Sequence, residues 1–317
     1  RVENAMNDEK KKARKYGLKR EQVIFIIVML AYPVLHFLVN WLYINLKTIT
    51  LSFTRYNILA GEFQIPGNIF YNYKMWIDRI INEEKYRMIL VNSFIYFPVT
   101  CFITLPLSVI CSYFLYRKVP GHGIYKVIFF LPSILPVVVL TMAFRFAFDT
   151  YGYVNAILKN IGFVSPPSWF GTEGLTPFMI FFYCVWAGIG YNVVLLSGAM
   201  ARVPTEVIEY GRLEGIGMWR EMFEIVVPMI WPTIVTLFTV GMNTVLTIYL
   251  QAYFLMGATT KGEFHTGTIA LYIFGNYSNE MQIPQLSSFG LLCSLIYVPI
   301  IFLARFIMNK FFAEVDY

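Results

Sequence analysis

An all-α integral membrane protein with six transmembrane helices is the fold class this sequence predicts, and three observations predict it. Only 14% of the 317 residues are charged, while 57% are hydrophobic and 18% aromatic; soluble domains carry roughly 25% charge. Apolar runs recur along the chain, each reaching the roughly 18 residues that let a helix cross a bilayer. The runs are continuously apolar rather than alternating over segments of about ten residues, which makes a β-barrel a poor alternative.

In order, the spans read as about Val23 to Leu46, Met88 to Tyr116, Val127 to Phe148, Pro177 to Met200, Pro228 to Met256 and Phe289 to Phe312. The first follows a basic segment, as a signal peptide's apolar region would. It is too long for that role and no small-residue cleavage site follows, so it stays as a helix. Residues 1–22 form a basic segment, with 1–15 expected to be disordered; the missing initiator Met is read as a trimmed start. Residues 23–312 form the membrane domain, 201–228 a loop within it and 313–317 a short tail.

Orientation follows from the basic residues, because cytoplasmic loops retain Lys and Arg. The side holding both termini carries sixteen of them, and the other side eight, six of which lie in one long loop. Both termini are therefore expected in the cytoplasm. The net charge of +6 reflects this topology, since no basic face remains for a nucleic acid. Three outer segments, Lys47 to Arg87, Asp149 to Thr176 and Gly257 to Ser288, are too long for simple turns and are expected to build a structured rim. Within the first, aromatic and charged residues mix through Phe70 to Tyr86, the pattern of a short interfacial helix.

No reaction chemistry is visible. Cys101, Cys111, Cys184 and Cys293 all lie in apolar runs, and His36, His122 and His265 are scattered, so neither a disulfide, a metal site nor acid/base chemistry is expected. Arg145 and Asp149, four apart at the outer end of the third span, read as an ion pair.

The loop between the fourth and fifth spans is unlike a passive linker. Pro204 and Thr205 mark a helix start, Thr205 as a cap, with Glu206 and Glu209 near the favourable end of the dipole. Gly215 and Gly217 then interrupt the helix. Trp219, Met222, Phe223 and Val226 recur at helical spacing up to Pro228. The loop is predicted to be two short helices with a bend.

This loop resembles the signature of the membrane subunits of binding-protein-dependent ABC importers. That signature opens with Glu and two small residues, and after two more it continues with an acidic residue, Gly and a small residue. It closes eight residues later on Ile, any residue, an aliphatic residue and Pro. Glu209, Tyr210 and Gly211 stand at the opening, Glu214, Gly215 and Ile216 at the centre, and Ile225, Val227 and Pro228 at the close, with Tyr210, Glu214 and Ile216 as departures in residue type. Trp186, Gly188, Leu196, Pro204 and Pro232, with Gly152, Asn155, Leu158 and Gly162, are similar to the sugar-importing, maltose-type branch. The resemblance covers roughly Asn92 to Lys310.

The resemblance implies a permease subunit in the plasma membrane of a prokaryote. It implies a second permease, two ATPase subunits and an extracytoplasmic substrate-binding protein as partners, besides membrane lipid. No Gly-rich phosphate loop occurs in the sequence, so ATP and Mg are expected on the ATPase subunits, with no cofactor in this chain. It further implies that Glu209 pairs with a basic group of an ATPase, that Gly215 permits the bend, and that Trp219, Met222 and Phe223 fill apolar contacts. Glu206, Gly211, Glu214 and Pro228 complete the coupling segment.

A transport pathway needs polar groups within the membrane. Thr236, Thr239, Asn243, Thr247 and Gln251 follow helical spacing on one face of the fifth span, with Thr244 and Tyr249 nearby. Amides and an aromatic ring suit a sugar, although hydrogen bonding between helices is the competing reading. Tyr191 and Asn192 of the fourth span are further pathway candidates. The function expected is import of a sugar or oligosaccharide. A non-sugar solute is the alternative, and an ion-coupled secondary transporter or a membrane-embedded enzyme are rivals of other classes.

Overall fold

The computed structural model describes residues 20–170, 174–256 and 267–311. The expected disorder of residues 1–15 and the tail 313–317 lie outside the described residues. Four helices are unbroken and apolar enough to cross a membrane: α1 (Arg20–Ser52), α3 (Glu84–Tyr116), α7 (Leu175–Met200) and a last helix over Glu280–Met308, whose α-helical part is α13 (Ile283–Met308). They contain the first, second and fourth predicted spans and the sixth as far as Met308. α1 and α3 each include a π-helical stretch, Phe37–Tyr43 and Val99–Thr104. The second begins directly after Pro98, whose ring removes one backbone donor and crowds the preceding turn.

The third and fifth predicted spans are broken instead. The third is divided into α4 (His122–Ile134) and α5 (Val137–Ala147), which meet at 110°. Pro136 is the cause, because a residue before proline is driven out of the helical region, and Leu135 is extended at ψ 140°. After the short outer helix α6 (Tyr153–Asn160) and after α7 come the loop helices α8 (Thr205–Leu213) and α9 (Met218–Met229). The fifth span follows as α10 (Trp231–Thr247) and α11 (Leu250–Met256). Between them Ile248 is extended, and its carbonyl accepts the Thr268 hydroxyl at 2.6 Å.

The rim is structured, as expected. Arg55–Asn57 and Glu62–Gln64 form an antiparallel hairpin, followed by α2 (Tyr71–Asn82). α2 does more than float at an interface. Its Trp76 is buried, stacks at 4.4 Å on Phe289, and donates its ring N–H to the Gln285 carbonyl at 2.7 Å. This clasps the rim to α13. In the third outer segment, α12 (Ile269–Asn276) is capped by Thr268.

Two apolar clusters position everything that follows. At the end of the bundle carrying α8 and α9, Tyr113, Leu196, Met200, Ile208, Met222 and Val226 pack together. At the other end, Tyr96, Phe144, Tyr183, Ile248 and Leu255 join α3, α5, α7 and α11. There Arg145 donates to the Phe254 carbonyl at 3.2 Å. The expected ion pair with Asp149 is therefore replaced by a backbone contact that ties α5 to α11.

α4 lies tight against α7 at Gly190, where a Cβ would sit 2.1 Å from the Phe129 carbonyl oxygen. Gly190→Ala is expected to destabilise the protein by about 1 to 3 kcal/mol, the usual cost of overpacking. Thermal melting in detergent checks this against Gly198→Ala, where a Cβ meets nothing within 4 Å. Equal melting of the two variants would remove the packing argument.

Candidate functional site

The loop joining α7 to α10 forms the two short helices and bend that its sequence predicts. Pro204 occupies the cap position of α8 and Thr205 is already the first helical residue, with no side-chain cap bond. The expected Thr205 cap is thus displaced by one residue, since proline favours the extended backbone that precedes a helix. Gly215 makes the bend with φ +78°, a left-handed conformation that costs a side-chain-bearing residue about 1 kcal/mol or more. Gly217, by contrast, has ordinary backbone angles.

The loop sorts its residues into two faces. Ile208 and Gly211 of α8 point inward, Gly211 beneath the Ile225 side chain. Glu206, Glu209, Tyr210, Leu213 and Glu214 are exposed. Trp219 and Phe223 of α9 are also exposed and stack on one another at 6.4 Å, with Trp219 edge-on to Phe114. Glu209 has no hydrogen-bond or ion-pair partner among the described residues. Met222 departs from the expectation of an outward apolar contact: it is fully buried and holds α9 to the bundle. Pro228 is half-buried near the end of α9. The outward surface is thus acidic on α8 and aromatic on α9.

The strongest polar feature of the loop is one its sequence analysis missed. Glu221, on α9, has a side chain only 1% exposed. Arg117, just past the end of α3, donates to its Oε2 at 2.8 Å. Arg212 of α8 grips both carboxylate oxygens, at 2.9 and 3.2 Å. Tyr113 of α3 donates to Oε1 at 3.0 Å. Burial pushes the Glu221 carboxyl up, but Arg212, Arg117 and Tyr113 together pull it down further, so it stays below the ordinary carboxylate value. The spacing of Met218, Glu221, Met222 and Ile225 puts this Glu on the apolar side of α9, and that was the available signal.

The polar stripe of the fifth span is real but shorter than predicted. Thr236, Val240, Asn243 and Thr247 are exposed along one face of α10. Thr236 donates back to the Pro232 carbonyl at 2.9 Å, and Thr247 to that of Asn243 at 3.1 Å. The Asn243 amide has no partner among the described residues. Thr239 is half-buried and bonds to the Val235 carbonyl, while Thr244 lies 3.2 Å from Thr100 within the bundle. Gln251 falls beyond the break at Ile248, so it does not continue the face. Tyr249 sits in that break against Phe274 at 4.9 Å. On α7, Tyr191 is exposed and Asn192 half-buried.

Residues 104–316 match the model of the family described as binding-protein-dependent transport system inner membrane component. The chain belongs to that family. It is 24% identical to the lactose transport system permease protein LacF of Rhizobium radiobacter, over 92% of this chain and 90% of that one. It is 24% identical to the arabinooligosaccharides transport system permease protein AraP of Halalkalibacterium halodurans, over 86% and 84%. The alpha-glucoside permease protein AglF of Rhizobium meliloti is 26% identical over 62% of this chain, which spans 58% of that relative. Among solved structures, a chain of a bacterial ABC transporter involved in alginate import superposes with a TM-score of 0.76 at 16% identity, over 92% of this chain and 96% of that one. This permease chain therefore shares its fold as well as its family with importers, and the whole loop from α8 to α9 lies within the matched residues.

The clamp on Glu221 has a defined pH window. A carboxyl held below its ordinary value of 4.5 in the fold stabilises that fold above pH 4.5 and loses the contribution as the pH falls through its lowered value. Hydrogen exchange across residues 205–222, corrected for intrinsic rate, is expected to be flat from neutral pH to about 5 and to rise only below 4.5. Loss of protection already near pH 6 would contradict the arrangement.

Proposed function

We propose that this chain is one permease subunit of an ATP-driven importer for a sugar or oligosaccharide in the plasma membrane of a prokaryote. The single observation that carries the reading is the outward face of α8 and α9. A Glu209 unpaired among the described residues, exposed acidic neighbours and a stacked Trp219–Phe223 pair are presented away from the bundle, a composition suited to a partner's basic and apolar cleft. Two ATPase subunits are that partner, holding ATP and Mg. Residues 201–228 are then the coupling segment, and residues 1–22 and 313–317 lie with it in the cytoplasm.

Six spans result when each bent pair, α4 with α5 at 110° and α9 with α10 at 78°, contributes one crossing. The exposed Asn243 supports a second permease subunit. A polar amide facing hydrocarbon is costly, so the α10 face belongs against a partner or an aqueous pathway between the two. Thr247 and Tyr191 share that exposure, and Asn192, Tyr249 and Gln251 sit deeper. The sugar reading is supported by the names of the lactose and arabinooligosaccharide relatives. An osmoprotective compound is the alternative solute, since the permease protein GgtC of Synechocystis, named for such compounds, is 26% identical over 58% of this chain. An extracytoplasmic binding protein would deliver either.

Proteoliposomes holding the purified complex test the reading. Uptake that requires ATP and the ATPase subunits is expected, whereas uptake driven by an ion gradient without them would overturn it. Glu209→Ala and Gly215→Pro are expected to abolish uptake while the chain remains in the membrane. The first removes a charged contact worth about 2 to 5 kcal/mol once buried, and the second denies the bend its left-handed backbone. Normal uptake by both would dismiss the coupling role.

Asn243→Ala is expected to weaken apparent affinity several-fold, the loss of a hydrogen bond worth about 0.5 to 1.5 kcal/mol, with the subunits still co-purifying. Dissociation of the complex at unchanged affinity would make Asn243 an assembly contact instead.

A further inference from the structure

The chain itself links α8 and α9 only to the fourth and fifth spans, through α7 and α10. Force applied to the coupling segment would on that basis reach the second span only through side-chain packing. The clamp changes the mechanical picture. Glu221 stands between the two loop helices and the end of α3, and its carboxylate is shared among donors of both. Arg212 locks α8 to α9 with two hydrogen bonds, a planar fork on a planar carboxylate. Arg117 and Tyr113 lock α9 to α3, and Tyr113 also donates to the Met218 carbonyl at 3.0 Å.

The geometry points to Glu221 as the positioning residue through which movement of the coupling segment is passed to the second span, a role that rests on the permease reading above. Glu221 is too buried to meet an ATPase, so it acts through α8 rather than by touching a partner. A carboxylate held out of water and shared by donors of α3 and α8 resists being pulled from them, because separation would strand it buried and unpaired. The loop and the end of α3 therefore move as one body. Arg117 and Arg212 divide the work: the first carries motion across to the span, and the second keeps the loop's own two helices at a fixed angle.

Glu221→Gln keeps size while removing the charge and turning one acceptor oxygen into a donor, and Arg117→Gln removes the charged link to α3, leaving the Tyr113 bonds in place, without touching the loop. The full transporter, reconstituted with its ATPase and binding-protein subunits, is assayed for ATP hydrolysed and for substrate taken up. Both variants are expected to retain the ATPases and hydrolyse ATP while uptake per ATP falls about tenfold, within the usual range for coupling between sites. Arg212→Gln is expected to weaken retention of the ATPases instead. A merely structural clamp would lower the yield of complex and leave uptake per ATP unchanged, so that result overturns the proposal, as does a normal ratio in Glu221→Gln and Arg117→Gln. Failure of the permease reading is distinguishable, for then no ATPase is retained by the unaltered chain either.

Discussion

A backbone that crosses hydrocarbon must satisfy its own N–H and C=O groups, and the rest of this structure depends on that requirement. It makes helices the only economical element, and it makes each departure from a straight helix conspicuous. At Ile248 the extended carbonyl is met by the Thr268 hydroxyl. At the end of α5, Arg145 reaches the Phe254 carbonyl of α11. At Pro98, which has no donor to lose, the turn widens into a π-helical stretch rather than breaking. The break at Ile248 therefore sits where a side chain from a neighbouring segment supplies what the helix no longer can.

Hydroxyl groups along the spans obey the same economy. Thr100, Thr236, Thr239 and Thr247 all return their hydroxyl protons to carbonyls four residues earlier. Glu221 is the exception in kind, a charge taken fully out of water. Its cost is met by two guanidinium groups and a phenol, the density of partners a buried carboxylate demands. That concentration lies at the junction of α3, α8 and α9, beside the apolar cluster of Met222 and Val226, so shape and charge fix the loop together.

Much of this was legible in the sequence, and the remainder was hidden for identifiable reasons. Four spans, the two-helix loop and the bend at Gly215 follow from local pattern alone. The break in the third span was also written locally, in Pro132 and Pro136, but its long apolar run masked it. The break at Ile248 was not, since its stabilising hydroxyl comes from a residue 20 positions on, across an outer segment. The stripe consequently ended at Thr247 rather than at Gln251. Glu221 was overlooked because Tyr113 and Arg117 lie more than a hundred residues away, and an acidic residue in a loop reads by default as solvated. Met222 erred the other way: its helical spacing with Trp219 and Phe223 was right, but those two are splayed outward while it turns in.

The back-bonded threonines of α10 give its exposed face a chemical sign. A hydroxyl has one proton and two lone pairs, and at Thr236 and Thr247 the proton is already committed to the helix. What remains for a passenger is acceptor capacity, with the Asn243 amide alone able to donate. A neutral polyol brings protons of its own and is satisfied there. A carboxylate or phosphate brings only lone pairs and finds a donor at Asn243 alone. Under the permease reading proposed above, the exposed face of Thr236, Val240, Asn243 and Thr247 therefore meets a passenger with more acceptors than donors and with no charged residue among them.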